Sequence, residues 1–138
     1  MPFRYGIATM TEGPVIFVRL RVAEGGREIF GISSDLLPAK WFTKVPDRPI
    51  AEEIDEMLRV ILQACRTAAG LQGKNAFELW RQLYEAQAAW GKQEKLPPLL
   101  WNFGVSLVER VCRVSCDPRL GRRAPGTDVR RGILATVR

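Results

Sequence analysis

A single change of hydrophobic period restricts this chain more than any other feature. In "VIFVRLRV" (residues 15–22), Ile16, Val18, Leu20 and Val22 fall on one side of an extended backbone and Val15, Phe17, Arg19 and Arg21 on the other. That two-residue alternation belongs to a half-buried strand. From Ile50 onward the apolar residues recur at three- and four-residue spacing instead, the repeat of an amphipathic helix. Strands first and helices afterwards predict an α+β fold.

The pattern resolves into elements. "FRYGIATM" (residues 3–10) alternates Phe3, Tyr5 and Ile7, and Gly13-Pro14 supply a turn into residues 15–22; Gly25-Gly26 supply a tight hairpin into "EIFGIS" (residues 28–33). The expectation is a three-stranded antiparallel meander. A first helix follows Asp47 as N-cap, with Pro49 in its first turn, and runs along Ile50, Ile54, Met57, Leu58, Ile61, Leu62 and Cys65 to Gly70. Its carboxylates, Glu52, Glu53, Asp55 and Glu56, read as a solvated face near the positive end of the helix dipole. Asn75 and Glu78 have the spacing of a capping box for a second helix, whose stripe Phe77, Trp80, Leu83, Tyr84 and Trp90 ends at Gly91 and reads as core rather than as a base-stacking platform. Pro97-Pro98 open a third helix carrying Leu100, Phe103, Leu107, Val108 and Val111.

Composition narrows the chemistry. The chain of 138 residues contains no histidine, which removes Ser-His and Cys-His nucleophiles, imidazole ligands and the ordinary neutral-pH proton switch. Cys65, Cys112 and Cys116 are too few and too unevenly spaced for a disulfide framework or a four-ligand zinc site. "GLQG" and "EGG" lack the spacing and the Lys-Ser/Thr partner of a phosphate-binding loop. No membrane span or signal peptide is evident, so a cytoplasmic location is expected. The net charge is +6, of which +4 arises after Cys116, where Arg119, Arg122, Arg123, Arg130, Arg131 and Arg138 face Asp117 and Asp128. The body is nearly balanced, and the basic excess reads as a solvated tail.

Between strands and helices lies "LPAKWFTKVPDRP", with Trp41 and Phe42 side by side between Lys40 and Lys44 in a segment whose prolines exclude regular structure. Together with "YGIATM", "FELWRQLY" and "SLVER", and with the order of elements, this segment makes residues 2–113 resemble the N-terminal capping domain of the enolase superfamily, in its mandelate racemase and muconate-lactonising branch. The resemblance implies a capping domain over residues 1–113 that normally closes the open end of a (β/α)8 barrel. The barrel of such enzymes carries the Mg²⁺ carboxylates and the catalytic bases; these enzymes are isomerases, cycloisomerases or dehydratases.

No metal ligand or catalytic base is carried over to this chain, so the expectation is a domain without turnover of its own and without a cofactor, Mg²⁺ being expected only with a barrel. What the resemblance does carry over is a substrate-facing lid: Leu36, Leu37, Lys40, Trp41, Phe42 and Lys44, in which the aromatics exclude water and a lysine meets a carboxylate. The alternative is that Trp41 and Phe42 fold back over the helices while the lysines reach for solvent.

After "SLVER" the chain departs from the family pattern, breaking at Asp117-Pro118 and turning arginine-rich; residues 114–138 read as an irregular basic tail, a truncated or frame-shifted remnant, in which "GILATVR" remains a possible strand. Three functions follow in rank: a non-catalytic cap whose partner is a barrel domain; a stand-alone interaction or self-association module using exposed cap surface; and, last, a nucleic-acid binder acting through the arginine tail.

Overall fold

Val18, Leu20 and Val22 are fully buried, and the strand that carries them organises the rest of the molecule. A computed structural model describes residues 3–5, 8–24, 27–43, 45–115 and 131–137. Strand β3 (Val15–Glu24) pairs with β4 (Arg27–Leu36) over its whole length in one unbroken antiparallel register, Val15 opposite Leu36 and Glu24 opposite Arg27. On its other side β3 pairs with β6 (Arg131–Val137), which in turn meets the two-residue β5 (Gln72–Gly73), giving the antiparallel order β4-β3-β6-β5.

An α+β fold with an antiparallel sheet and three helices is therefore present, but the sheet's third strand is not the one expected. Residues 3–10 form their own small hairpin, β1 (Phe3–Tyr5) with β2 (Ala8–Met10), Tyr5 opposite Ala8. The chain reverses between Tyr5 and Ala8, and the apparent alternation of residues 3–10 runs straight through that point. The place beside β3 goes to the uncharged, β-branched "GILATV", so the segment after Ser115 is not irregular throughout. The rest of the arginine-rich tail, and Cys116 with it, lies outside the described residues.

Helix α1 (Ile50–Ala68) begins one residue after Pro49, which occupies the cap; the Asp47 side chain makes no cap hydrogen bond. Gly70, at φ +90°, closes it as expected. The buried stripe runs Glu53, Met57, Val60, Ile61, Ala64, Cys65 and Ala68, rotated from the expected one so that Ile50 and Leu62 are exposed. Helix α2 (Ala76–Gln93) starts on the expected box in a modified form: Asn75 Oδ1 accepts from the Glu78 amide at 2.8 Å, while Glu78 reaches back to the amide of Lys74 rather than of Asn75.

Gly91 does not end α2. A Cβ there would lie 2.4 Å from the Trp101 ring, so glycine permits close approach to α3 (Pro98–Ser115). Pro98 opens α3 at the first helical position, where its missing N–H has no intrahelical partner to lose.

The helices pack on one face of the sheet. Gly104 of α3 sits against the backbone of α1, where a Cβ would come within 2.5 Å of the Val60 carbonyl oxygen. Fully buried Gln87 of α2 donates from Nε2 to the carbonyls of Val60 (3.0 Å) and Trp101 (3.4 Å), touching all three helices at one point. Ser33 of β4 donates to the Leu107 carbonyl at 2.7 Å, fixing α3 on the sheet. The opposite face of β3 and β4 has no layer over it among the described residues, and Val15, Phe17, Phe30, Ile32 and Leu36 are exposed there.

Candidate functional site

The connection between β4 and α1, residues 37–49, is anchored at both ends and at its middle. Leu37 is buried in the core and its amide donates to the Pro14 carbonyl at 2.9 Å, tying the end of β4 to the entry of β3. A tight turn follows, closed by the Trp41 amide donating to the Pro38 carbonyl at 3.2 Å. Lys40 holds its third position at φ +66°, a geometry that favours glycine.

Lys40 tolerates that backbone because its side chain and amide both find partners. Its Nζ donates to the carbonyls of Val45 (2.7 Å), Pro46 (3.3 Å) and Arg48, and lies 3.0 Å from Glu53 Oε1, an ion-pair contact rather than an aligned hydrogen bond. Its backbone N–H donates to Glu53 Oε2. The two side chains are 13% and 3% exposed. Most of the Lys40 side chain is thus covered, and the carboxylate it meets is internal. One turn away Arg48 bonds Glu56 at 2.8 Å and lies 3.7 Å from Glu52, and the Glu56 hydrogen bond holds the guanidinium above its ordinary pKa range.

The remaining expected lid residues divide. Phe42 turns inward, its ring 4.9 Å from that of Phe103 on α3. Trp41, 45% exposed, is the large aromatic that the anchored turn presents at the surface. Leu36 is exposed at the end of β4 on the open face of the sheet, so it and buried Leu37 point to opposite sides. Lys44 lies outside the described residues. Beside the turn, Met10, Gly13, Leu37, Lys40, Ile50 and Ile54 line part of a shallow groove of about 280 Å³.

Glu53 is the residue the sequence reading missed. The acidic run around it reads as a solvated face, yet Glu53 lies four residues before Met57 and continues the buried stripe. A carboxylate on that stripe signals an internal cation, which here is Lys40. The second helix also departs from expectation: Leu79, Leu83, Gln87 and Gly91 form the buried stripe, and the aromatics flank it. Phe77 is 67% exposed, and Phe77, Trp80, Tyr84 and Trp101 follow one another with ring centroids 5.3–5.4 Å apart. Aromatic spacing alone could not separate a flanking ladder from core.

Cys65 and Cys112 are buried, and burial pushes the Cys65 thiol from about 9 to about 11, away from nucleophilic use near neutrality. Among the described residues no group of three or more Asp, Glu or Cys side chains comes together as a metal site, and no helix is long and apolar enough to cross a membrane. No protein-family model, curated protein or solved structure matches this chain.

Proposed function

We propose that this chain is a non-catalytic capping domain of the mandelate racemase and muconate-lactonising kind, acting in the cytoplasm by closing over a catalytic barrel and helping to select its substrate. The observation that carries the reading is the Lys40–Glu53 anchor, which fixes a strained turn and presents Trp41 outward while Phe42 stays packed. A held aromatic at a surface is suited to excluding water and to contacting the apolar part of a ligand. In this reading the Lys40 ammonium, engaged by Glu53 and the loop carbonyls, holds the turn rather than meeting a ligand.

The test is to graft residues 1–113 onto the barrel of an intact relative of that branch and compare Trp41 with Trp41→Ala. The reading expects kcat/KM for two substrates differing in their apolar portion to change relative to one another by about tenfold, the scale of one lost apolar contact. Unchanged substrate preference and turnover would overturn it.

A further inference from the structure

The two edges of the sheet are treated differently. One ends in β5, only two residues long, which leaves little backbone to template another strand. The other ends in β4, ten residues long, with no strand beyond it among the described residues. Exposed edges in soluble proteins are usually blunted by proline, lysine, a bulge or shortness. "REIFGISSDL" contains no proline or lysine, its pairing with β3 runs without a bulge, and its charged residues, Arg27, Glu28 and Asp35, stand near its ends, leaving the six residues 29–34 uncharged.

We propose that β4 is the interface for a second copy of this chain, the two strands pairing antiparallel about a two-fold axis at Gly31. An antiparallel partner strand must place residues of like face opposite each other, which restricts the register. Centring the axis on Gly31 puts Phe30 opposite Ile32, Glu28 opposite Ser34, Ile29 opposite Ser33 and Arg27 opposite Asp35. Like charges oppose each other nowhere in this register, and Asp35 keeps its own partner, Arg110 of α3, at 2.7 Å. Moving the centre to Ile32 sets Ile29 against Asp35, and moving it to Phe30 sets Glu28 against Ile32. The Gly31 register is the self-complementary one.

The exposed side chains agree with this register. Phe30 and Ile32 are 53% and 63% exposed, and each meets the other across the axis twice, an aromatic with a β-branched residue on one face. Arg19 stacks on the Phe30 ring 4.5 Å from its centroid, and Arg21 pairs with Glu28 at 3.1 Å, so the nearby cations have partners within their own copy. The pairing would join two open apolar faces into one continuous surface and satisfy the backbone groups of both edges. It stands apart from the capping proposal, which concerns residues 37–49.

Sedimentation equilibrium of the purified full chain, from micromolar to submillimolar concentration, tests the proposal. A reversible monomer–dimer equilibrium is expected, with hydrogen exchange in residues 27–35 slowing as the dimer fills. Ser34→Glu places a second carboxylate opposite Glu28 at two symmetry-related points and should raise the dimer Kd about tenfold; Ser34→Lys should lower it severalfold. Ile32→Lys should leave a folded monomer, as its circular dichroism would show, and if that variant fails to fold the exposed Ser34 pair still decides. A monomer at every concentration, a dimer indifferent to both Ser34 changes, or open-ended assembly beyond the dimer would each overturn the proposal.

Discussion

Lys40→Met isolates the anchor of the functional loop. The methionine keeps most of the aliphatic stem but removes the ammonium, leaving the Glu53 carboxylate, 3% exposed, with only the residue-40 amide as a donor. Removing one partner of a buried ion pair costs about 3–5 kcal/mol, because the other charge stays desolvated. The surviving amide bond argues for the lower half of that range, about 3–4 kcal/mol, against a total of about 5–15 kcal/mol for a domain. With a urea m-value of about 2 kcal/mol/M, the unfolding midpoint should fall by roughly 1.5–2 M. Glu53→Gln retains an acceptor for that amide and leaves the ammonium its three carbonyls, so it should cost less, about 1–2 kcal/mol.

The double variant removes both charges. Its cost should fall short of the sum of the single costs by about 2 kcal/mol, because the orphaned charge that dominates each single variant is gone. Urea titrations followed by far-ultraviolet circular dichroism and tryptophan fluorescence give all three values. A Lys40→Met protein within about 1 kcal/mol of the parent, or strict additivity in the double variant, would refute the argument that Lys40 and Glu53 act as a buried pair.

The helix packing makes further predictions. Gly104→Ala should destabilise by about 1–3 kcal/mol, since its Cβ would meet the backbone of Val60 at 2.5 Å and force α1 and α3 apart; the denaturation midpoint reports it. Gln87→Met should be neutral within about 1 kcal/mol, because it removes an Oε1 with no partner along with two bonds, whereas Gln87→Glu should cost more than about 3 kcal/mol by aiming a carboxylate at two carbonyls. Cys65 predicts an alkaline limb. Its folded pKa, about 11, exceeds the unfolded value near 9, so above pH 9 the unfolded chain binds fewer protons and stability falls by up to about 2–3 kcal/mol as pH rises to 11. Chemical denaturation at pH 8 and pH 10.5 should show that loss in the parent, and a smaller one in Cys65→Ala.

The class of the fold was legible because period is a local property. Alternation over residues 15–22 and the three- and four-residue repeats after Ile50 each report a buried face without reference to the rest of the chain. What escaped depends on which distant segment fills a space. Nothing near β3 indicates that residues 131–137 rather than residues 3–10 lie beside it, and both segments have strand composition. Glu53 was partly legible, since its place on the Met57 stripe was visible, but the cation that makes burial of its carboxylate tolerable is thirteen residues away, on a turn whose shape no periodicity encodes. The different orientations of the described lid residues have a similar origin: alternation separates Leu36 from Leu37, and the turn separates Lys40 and Phe42, turned inward, from Trp41, turned out.

The anchor bears on why two aromatics sit in this loop. A connection serving only to join β4 to α1 gains little from a left-handed lysine, a conformation that costs an L-residue about 1–2 kcal/mol. Nor does it need a buried ion pair, whose Coulomb gain is largely cancelled by desolvation. Both features acquire a physical rationale if the position of the next residue matters. Lys40 at φ +66° reverses the chain so that Trp41 stands at the surface and Phe42 re-enters against Phe103, and the Glu53 contact holds that reversal in place. Phe42 is explained by packing alone. Trp41 keeps nearly half of its surface exposed, and the strain is located one residue before it. A backbone outlier held by buried charge, directly preceding an exposed tryptophan, is the arrangement expected when a surface aromatic is kept ready for contact rather than left to sample many rotamers and backbone states.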